Sequence, residues 1–383
     1  MKIAGKLMLG MIAGAMAVAS LTSCTTASSA ADDGKTFTIW ASGSDNVKVQ
    51  FEQQVAKFNE IQDEYEAELQ FITSGTGAES LSSRLIAAYQ SGQTNTDYDL
   101  VEASDSEVIN YLNQCGEDFF VEVDTASMEN YSNLQYQPSV GQEYYIPYRG
   151  TTVLLAYNSD TVPNPPTTAE ELYQWIQDNP GRFAYNTPGS GGAGSSFVQT
   201  SIYNFLPEEA LSSPDEVWAE EWDQGFELLE SLHPYMYQSA GKVVYPNKNQ
   251  GTLDLLANFE IDMCPAWADM VISQKMQGTM PESIQLVQID PAFTGNLCGF
   301  IAPSFGTNHE GAQAFMDYML SPDAQNIALE SMAALPVIDF SLLDQELVKN
   351  IETLNISEFR SSSIGDLGTQ INERWDREIA TLG

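Results

Sequence analysis

The chain has 383 residues, 15 of them basic and 53 acidic, for a formal charge of −38. A surface this acidic repels phosphate backbones and anionic head groups, which argues against nucleic-acid and lipid-surface partners. The hydrophobic content of 43% is that of a globular core, and the length suits two domains.

Lys2 and Lys6 precede an uncharged apolar stretch from Leu7 to Leu21. It is too short to span a bilayer comfortably and has the length of a signal-peptide core. It runs into Leu21-Thr22-Ser23-Cys24, which resembles a bacterial lipobox. Residues 1–23 are therefore expected to be a lipoprotein signal peptide, Cys24 the lipidation site, and 24–35 a disordered tether. The plainer alternative is an ordinary secretory signal with a chance cysteine. Either way the chain is expected to be exported, and in the first case to sit lipid-anchored on the outer side of the cell membrane. Cys115, Cys264 and Cys298 remain, at spacings that suggest no metal site, and buried free thiols are expected.

A first strand is predicted at Lys35–Trp40, followed by a turn at 41–44 and a helix carrying Phe51, Val55, Phe58 and Ile61 at helical spacing. A second strand at Ala67–Ile72 leads into Ser74-Gly75-Thr76-Gly77. The next helix carries Leu81, Leu85 and Ala88. A short third strand, Tyr98–Val101, leads into Ala103-Ser104-Asp105-Ser106. Strand, turn, helix, strand is the pattern of a parallel α/β sheet, and ligands bind beyond the carboxyl ends of such strands. Ser42, Ser74, Thr76, Ser104 and Asp105 are therefore candidate rim residues.

A long strand from Tyr144 to Tyr157 is interrupted at Arg149-Gly150. Thr168 to Glu171 opens a helix with a capping box, and Arg182–Asn186 is predicted as a strand before a glycine-rich turn. Ser213 to Glu216 is a second capping box, opening a helix with Trp218, Trp222, Phe226 and Leu229 in one stripe. Ile261–Pro265 and Ile284–Ile289 read as strands, and helical material follows at 311–320, after Ser321, and from Leu342 onward.

Taken in order, five segments resemble the extracellular solute-binding proteins of bacterial ABC importers. They are Thr38-Ile39-Trp40; Asp97 to Val101; Tyr148 to Asp160; Met263-Cys-Pro-Ala-Trp267; and Gly299-Phe-Ile-Ala-Pro303, which precedes a helix ending at Tyr318 to Pro322. The stretch Asn179-Pro-Gly-Arg-Phe183 is similar to a thiamine- and polyamine-type branch. The resemblance implies an α/β, two-lobed periplasmic-binding-protein-like (type II) fold with a hinge and an interlobe cleft. By position, lobe 1 would be 36–148 plus 299–335, lobe 2 would be 150–297, and 336–383 a C-terminal helical segment. Gly150 and Gly299 would be hinge residues, able to absorb changes in φ and ψ. The implied partners are a small-molecule ligand and the permease of an ABC transporter, with the chain itself a monomer.

Gly189-Ser190-Gly191-Gly192-Ala193-Gly194 matches G-x-G-x-x-G, but no acidic residue follows at the end of a second strand, as a dinucleotide site requires. No cofactor is expected. The turn, with Ser190 and Ser195, can hold an anionic group at a helix N-terminus, or it can simply be flexible. The resemblance places Trp40 and Trp267 on opposing lobes. Aromatic faces beside Ser42 and Asp269 suit a cation or a sugar ring. Tyr148 and Arg149 lie at the implied hinge, Arg149 being one of few cations. The only histidines, His233 and His309, complete no metal or catalytic motif, and no G-x-S-x-G is present. The reading is a binding protein without catalysis. Its favoured ligand is a thiamine-like or polyamine-like cation, with a carbohydrate, an oxyanion or a phosphonate as alternatives. A surface lipoprotein hydrolase is the alternative of another class.

Overall fold

The computed structural model describes residues 34–73, 80–138, 140–352, 354 and 359–382. The predicted signal peptide, Cys24, Ser74 and Thr76 lie outside the described residues. From residue 34 onward the chain forms one compact unit.

The first strands and helices follow the predicted alternation: β1 (Thr36–Gly43), α1 (Asp45–Ile61), β2 (Glu66–Thr73), α2 (Leu81–Gln90), β3 (Leu100–Ser104) and α3 (Asp105–Cys115). Strand β1 pairs in parallel with β2 on one side and β3 on the other. Helix α1 buries Phe51, Val55 and Phe58, the stripe set by their spacing.

A long strand, β4 (Ile146–Asn158), follows, then α4 (Ala169–Asp178), α5 (Gly192–Tyr203) and α6 (Asp223–Leu232). After a small hairpin of β5 (Gln238–Ser239) and β6 (Lys242–Val243) come α7 (Lys248–Ala257), β7 (Met263–Trp267), α8 (Ala268–Met276), β8 (Ile284–Val287) and β9 (Gly295–Ile301). The chain ends with α9 (His309–Met319), α10 (Pro322–Met332), β10 (Leu335–Pro336), α11 (Gln345–Val348) and α12 (Leu367–Glu378).

Strand β4 joins the two lobes. Its first half, through Thr152, pairs antiparallel with β9, and β10 adds on its other edge. Its second half pairs antiparallel with β7 and β8. Strand β9 also pairs antiparallel with β3, closing the order β10-β4-β9-β3-β1-β2. The parallel pattern predicted from the first three strands therefore stops at β3. The stretch 182–186, predicted as a strand, makes only an isolated bridge from Phe183 to Met263, because Tyr237 N–H takes the Phe183 carbonyl instead. The tryptophan stripe is split: Asp215 caps a short 3₁₀ turn with Trp218, and α6 begins only after Trp222.

One core gathers Phe37, Phe51, Phe300 and Phe315, and another gathers Leu155, Phe183, Phe197 and Phe226. The C-terminal stretch is shared between them. Val337 to Ile351 pack on the first, whereas Ile364, Leu367, Ile371 and Trp375 pack on the second. The indole of Trp375 donates to the Tyr185 hydroxyl at 3.0 Å. The chain thus crosses between cores at β4, at β9, and again before α12. Cys264 and Cys298 are buried free thiols, and Cys115 is free and half-buried.

Gly299, one of the two expected hinge glycines, sits where β9 passes a register shift in β4. A Cβ there would lie 2.4 Å from the Ile146 carbonyl oxygen and 2.7 Å from Pro147 Cα. Its φ is not in the left-handed region. Close strand approach is thus a sufficient reason for glycine at this position. At the third crossing, the Ser361 hydroxyl reaches Asp105 Oδ2 at 3.4 Å.

Replacing Gly299 with alanine forces β4 and β9 apart and should cost about 2–3 kcal/mol, read as a lower denaturation midpoint. Burial pushes the Asp105 carboxyl up to about 6, against hydrogen bonds that lower it. The folded chain therefore takes up this proton more readily than the unfolded one, and stability falls as pH rises from about 4 to about 6. Asp105→Asn should flatten that slope and raise stability at pH 7 by about 1–3 kcal/mol, measured by chemical denaturation across pH.

Candidate functional site

A cavity of about 760 Å³ opens between the lobes at the carboxyl ends of β1 and β2. Ser42, Asp45 and Asn46 line it from β1 and α1, and Thr73 from β2. Arg149 and Thr151 of β4 form its floor. The far wall is built from the glycine turn, the start of α7, and Trp267, Asp269 and Ser273 around α8. Helices α1, α5, α7 and α8 all begin at this cavity, so each presents the positive end of its dipole to it.

Arg149 is almost fully buried. Its Nε donates to the Tyr148 hydroxyl at 2.8 Å, and its Nη2 donates to Glu102 Oε1 at 3.1 Å. The Tyr148 hydroxyl donates a hydrogen bond to the same Glu102 oxygen at 3.0 Å. The Nη1 amine has no acceptor among the described residues. Across the floor, Asp269 is 8% exposed. Its Oδ1 accepts from Met270 N–H at 2.9 Å, and among the described residues no donor from another residue reaches its Oδ2. Burial pushes the Asp269 carboxyl up from its ordinary range, and the Arg149 guanidinium opposes this only in part. A cation and a carboxylate thus face one cavity without bonding to each other.

Trp267 stands beside Asp269 with its ring pressed against the glycine turn. A Cβ on Gly192 would lie 2.8 Å from Trp267 Cζ2. A Cβ on Gly194 would lie 1.9 Å from the Asn186 carbonyl oxygen. The turn's glycines therefore serve close packing. Its backbone donors are largely spent: Gly189 N–H goes to Ser195 Oγ (2.9 Å), Ala193 N–H to Asn249 Oδ1 (3.1 Å) and Gly194 N–H to Asn186 Oδ1 (2.8 Å).

Of the residues singled out from sequence, Ser42, Arg149, Ser190, Trp267 and Asp269 line this one cavity. Trp40 does not. Its indole donates to the Asp97 carbonyl at 3.0 Å and its ring packs on Tyr98, away from the cleft. Tyr148 is fully buried, with its ring stacked 4.8 Å from Phe300. Ser104 caps α3 through a capping box with Glu107, and Asp105 faces the third crossing. Ser195 is spent inside the glycine turn. Lys248 and Asn249 line the cavity but drew no notice in the sequence. The available signal was a lone cation inside the turn-forming run Pro246-Asn247-Lys248-Asn249 of an acidic chain.

The fold is shared with solved binding proteins. An ABC transporter structure from Clostridium perfringens is similar with a TM-score of 0.62 at 15% identity, over 89% of this chain and 99% of that one. A periplasmic thiamin binding protein gives 0.61 at 14% identity, over 90% of this chain and 96% of that one. In sequence, the chain is 27% identical over 198 residues to protein YnjB of Escherichia coli, spanning 49% of this chain and about half the length (48%) of that relative. The family model for bacterial extracellular solute-binding proteins matches residues 25–354. With a match over most of its length, the chain belongs to the bacterial extracellular solute-binding protein family.

Proposed function

We propose that this solute-binding protein serves an ABC importer, capturing a small cationic or zwitterionic nitrogen compound of thiamine-like or polyamine-like kind in the interlobe cavity. The observation that carries this reading is Asp269: a buried carboxylate with one oxygen left open, set beside the Trp267 indole. A carboxylate and an aromatic face together attract a desolvated ammonium or azolium. Arg149 Nη1, across the cavity, is placed for an anionic end when the solute has one. Lobe 1 and lobe 2 each supply part of the wall, so a solute touching both favours the closed arrangement. In this reading Cys24 carries the lipid that keeps the exported chain near its permease, and the long crossings at β4 and β9 form the hinge. The lobes divide at these crossings, with α12 returning to the second lobe.

Calorimetric titration with thiamine, spermidine, putrescine and maltose tests the reading. Binding of at least one nitrogen compound and none of the sugar is expected; sugar binding alone would refute it. Asp269→Asn should weaken the bound cation about 10- to 100-fold, the loss of a charge-assisted contact of about 1.5–3 kcal/mol. Because the Asp269 carboxyl is raised, it takes up a proton at higher pH than an exposed aspartate. Cation affinity should therefore fall as pH is lowered, and this fall should disappear in Asp269→Asn, as read from titrations across the acid range.

A further inference from the structure

The glycine turn leaves a question, since most of its amides already have acceptors. Its contacts lead to Lys248. This residue stands at the cavity with φ +61, a left-handed conformation that a lysine seldom adopts and that glycine or asparagine would hold more easily. The neighbouring chain holds it there. Lys248 N–H donates to Ser190 Oγ at 2.9 Å, and Ser190 Oγ in turn donates to the Thr187 carbonyl at 2.6 Å. Thr187 N–H donates to the Pro246 carbonyl at 2.9 Å, and Asn249 Oδ1 accepts from Ala193 N–H at 3.1 Å. A Cβ on Gly191 would lie 2.5 Å from that Asn249 oxygen, so the turn and the Lys248 segment interlock only with glycine at 191. Strain of this kind persists where surrounding structure over-determines it, and it gathers at functional sites.

The side chain held this way is exposed, and its ammonium makes no ion pair or hydrogen bond among the described residues. In a chain with 53 acidic and 15 basic residues, most cations are otherwise engaged. Arg182 is tied to Asp262, and Arg149 is held by Glu102 at the buried floor, with only its Nη1 amine open to the cavity. We propose that Lys248 is the residue that selects solutes bearing a carboxylate or phosphoryl group. In this role the glycine turn is the clamp that holds Lys248 at the cavity and is not itself an anion site. The inference rests on the interlobe cavity being the solute site, and it narrows the solute class to zwitterions.

The test is a titration of the full chain and its Lys248→Met variant with five probes: thiamine, thiamine monophosphate, putrescine, 4-aminobutyrate and glutarate. Lys248→Met should weaken the anion-bearing probes about 10-fold or more and change thiamine and putrescine by less than about threefold. Its melting temperature should match that of the parent, which separates lost binding from lost folding. Lys248→Gly should melt higher than Lys248→Met, because glycine accepts the left-handed backbone. A Met variant that holds thiamine monophosphate and 4-aminobutyrate as tightly as the parent overturns the proposal. If the parent binds only thiamine or putrescine, the nitrogen-solute reading stands and the role of Lys248 falls. If it binds only glutarate and Lys248→Met loses it, the anion contact at Lys248 stands, but the nitrogen-solute reading and the narrowing to zwitterions both fall. If no probe binds, both fall.

Discussion

The structure depends on one strand serving two lobes. β4 gives its first half to β9 and β10 and its second half to β7 and β8. In its first half, ahead of the changeover, it carries Arg149, whose guanidinium is taken out of water and tied to Glu102 of β3 and to the Tyr148 hydroxyl. Two buried charges are stable together only when each is well hydrogen-bonded, and removing one partner would leave the other stranded. The ion pair therefore fixes the first half of β4 to the first lobe. The remaining guanidinium amine is left at the cavity floor, where the two lobes meet.

That arrangement turns a strongly acidic molecule into one with a locally balanced site. The surface carries a large negative charge, which draws cationic solutes and repels anions at long range. Inside the cavity the balance differs: Arg149 and Lys248 stand with Asp45, Asp254 and Asp269, and four helices begin there. For the zwitterion proposed above, the surface field acts on orientation, and the cavity offers each end a partner of opposite charge.

Much of the fold was legible in the sequence because it follows from short-range pattern. The alternation from Thr36 to Cys115 and the turn-bearing strand ends predicted three parallel strands, and these are present. What escaped was non-local. Antiparallel β9 inserts between β3 and β4 by contacts across the chain that no local period records. The 182–186 stretch looks like a strand, yet its partners come from Tyr237 and Asp262. At the candidate site, the resemblance implied a cleft position for Trp267, with Asp269 beside it, and both line the cavity. Trp40 and Tyr148 pack on Tyr98 and Phe300 instead, because an aromatic residue at such a position serves the core as readily as a cleft, and only packing distinguishes the two. Lys248 was invisible for a different reason: its significance lies in a backbone angle imposed by a turn more than fifty residues earlier.

In the proposed function, the protein is a trap that closes on its solute through the crossings at β4 and β9. Small-angle X-ray scattering, with and without the tightest-binding nitrogen compound, tests it most directly. A smaller radius of gyration with solute, and no such change in Asp269→Asn at the same solute concentration, is the predicted result. An unchanged radius at saturating solute would contradict it.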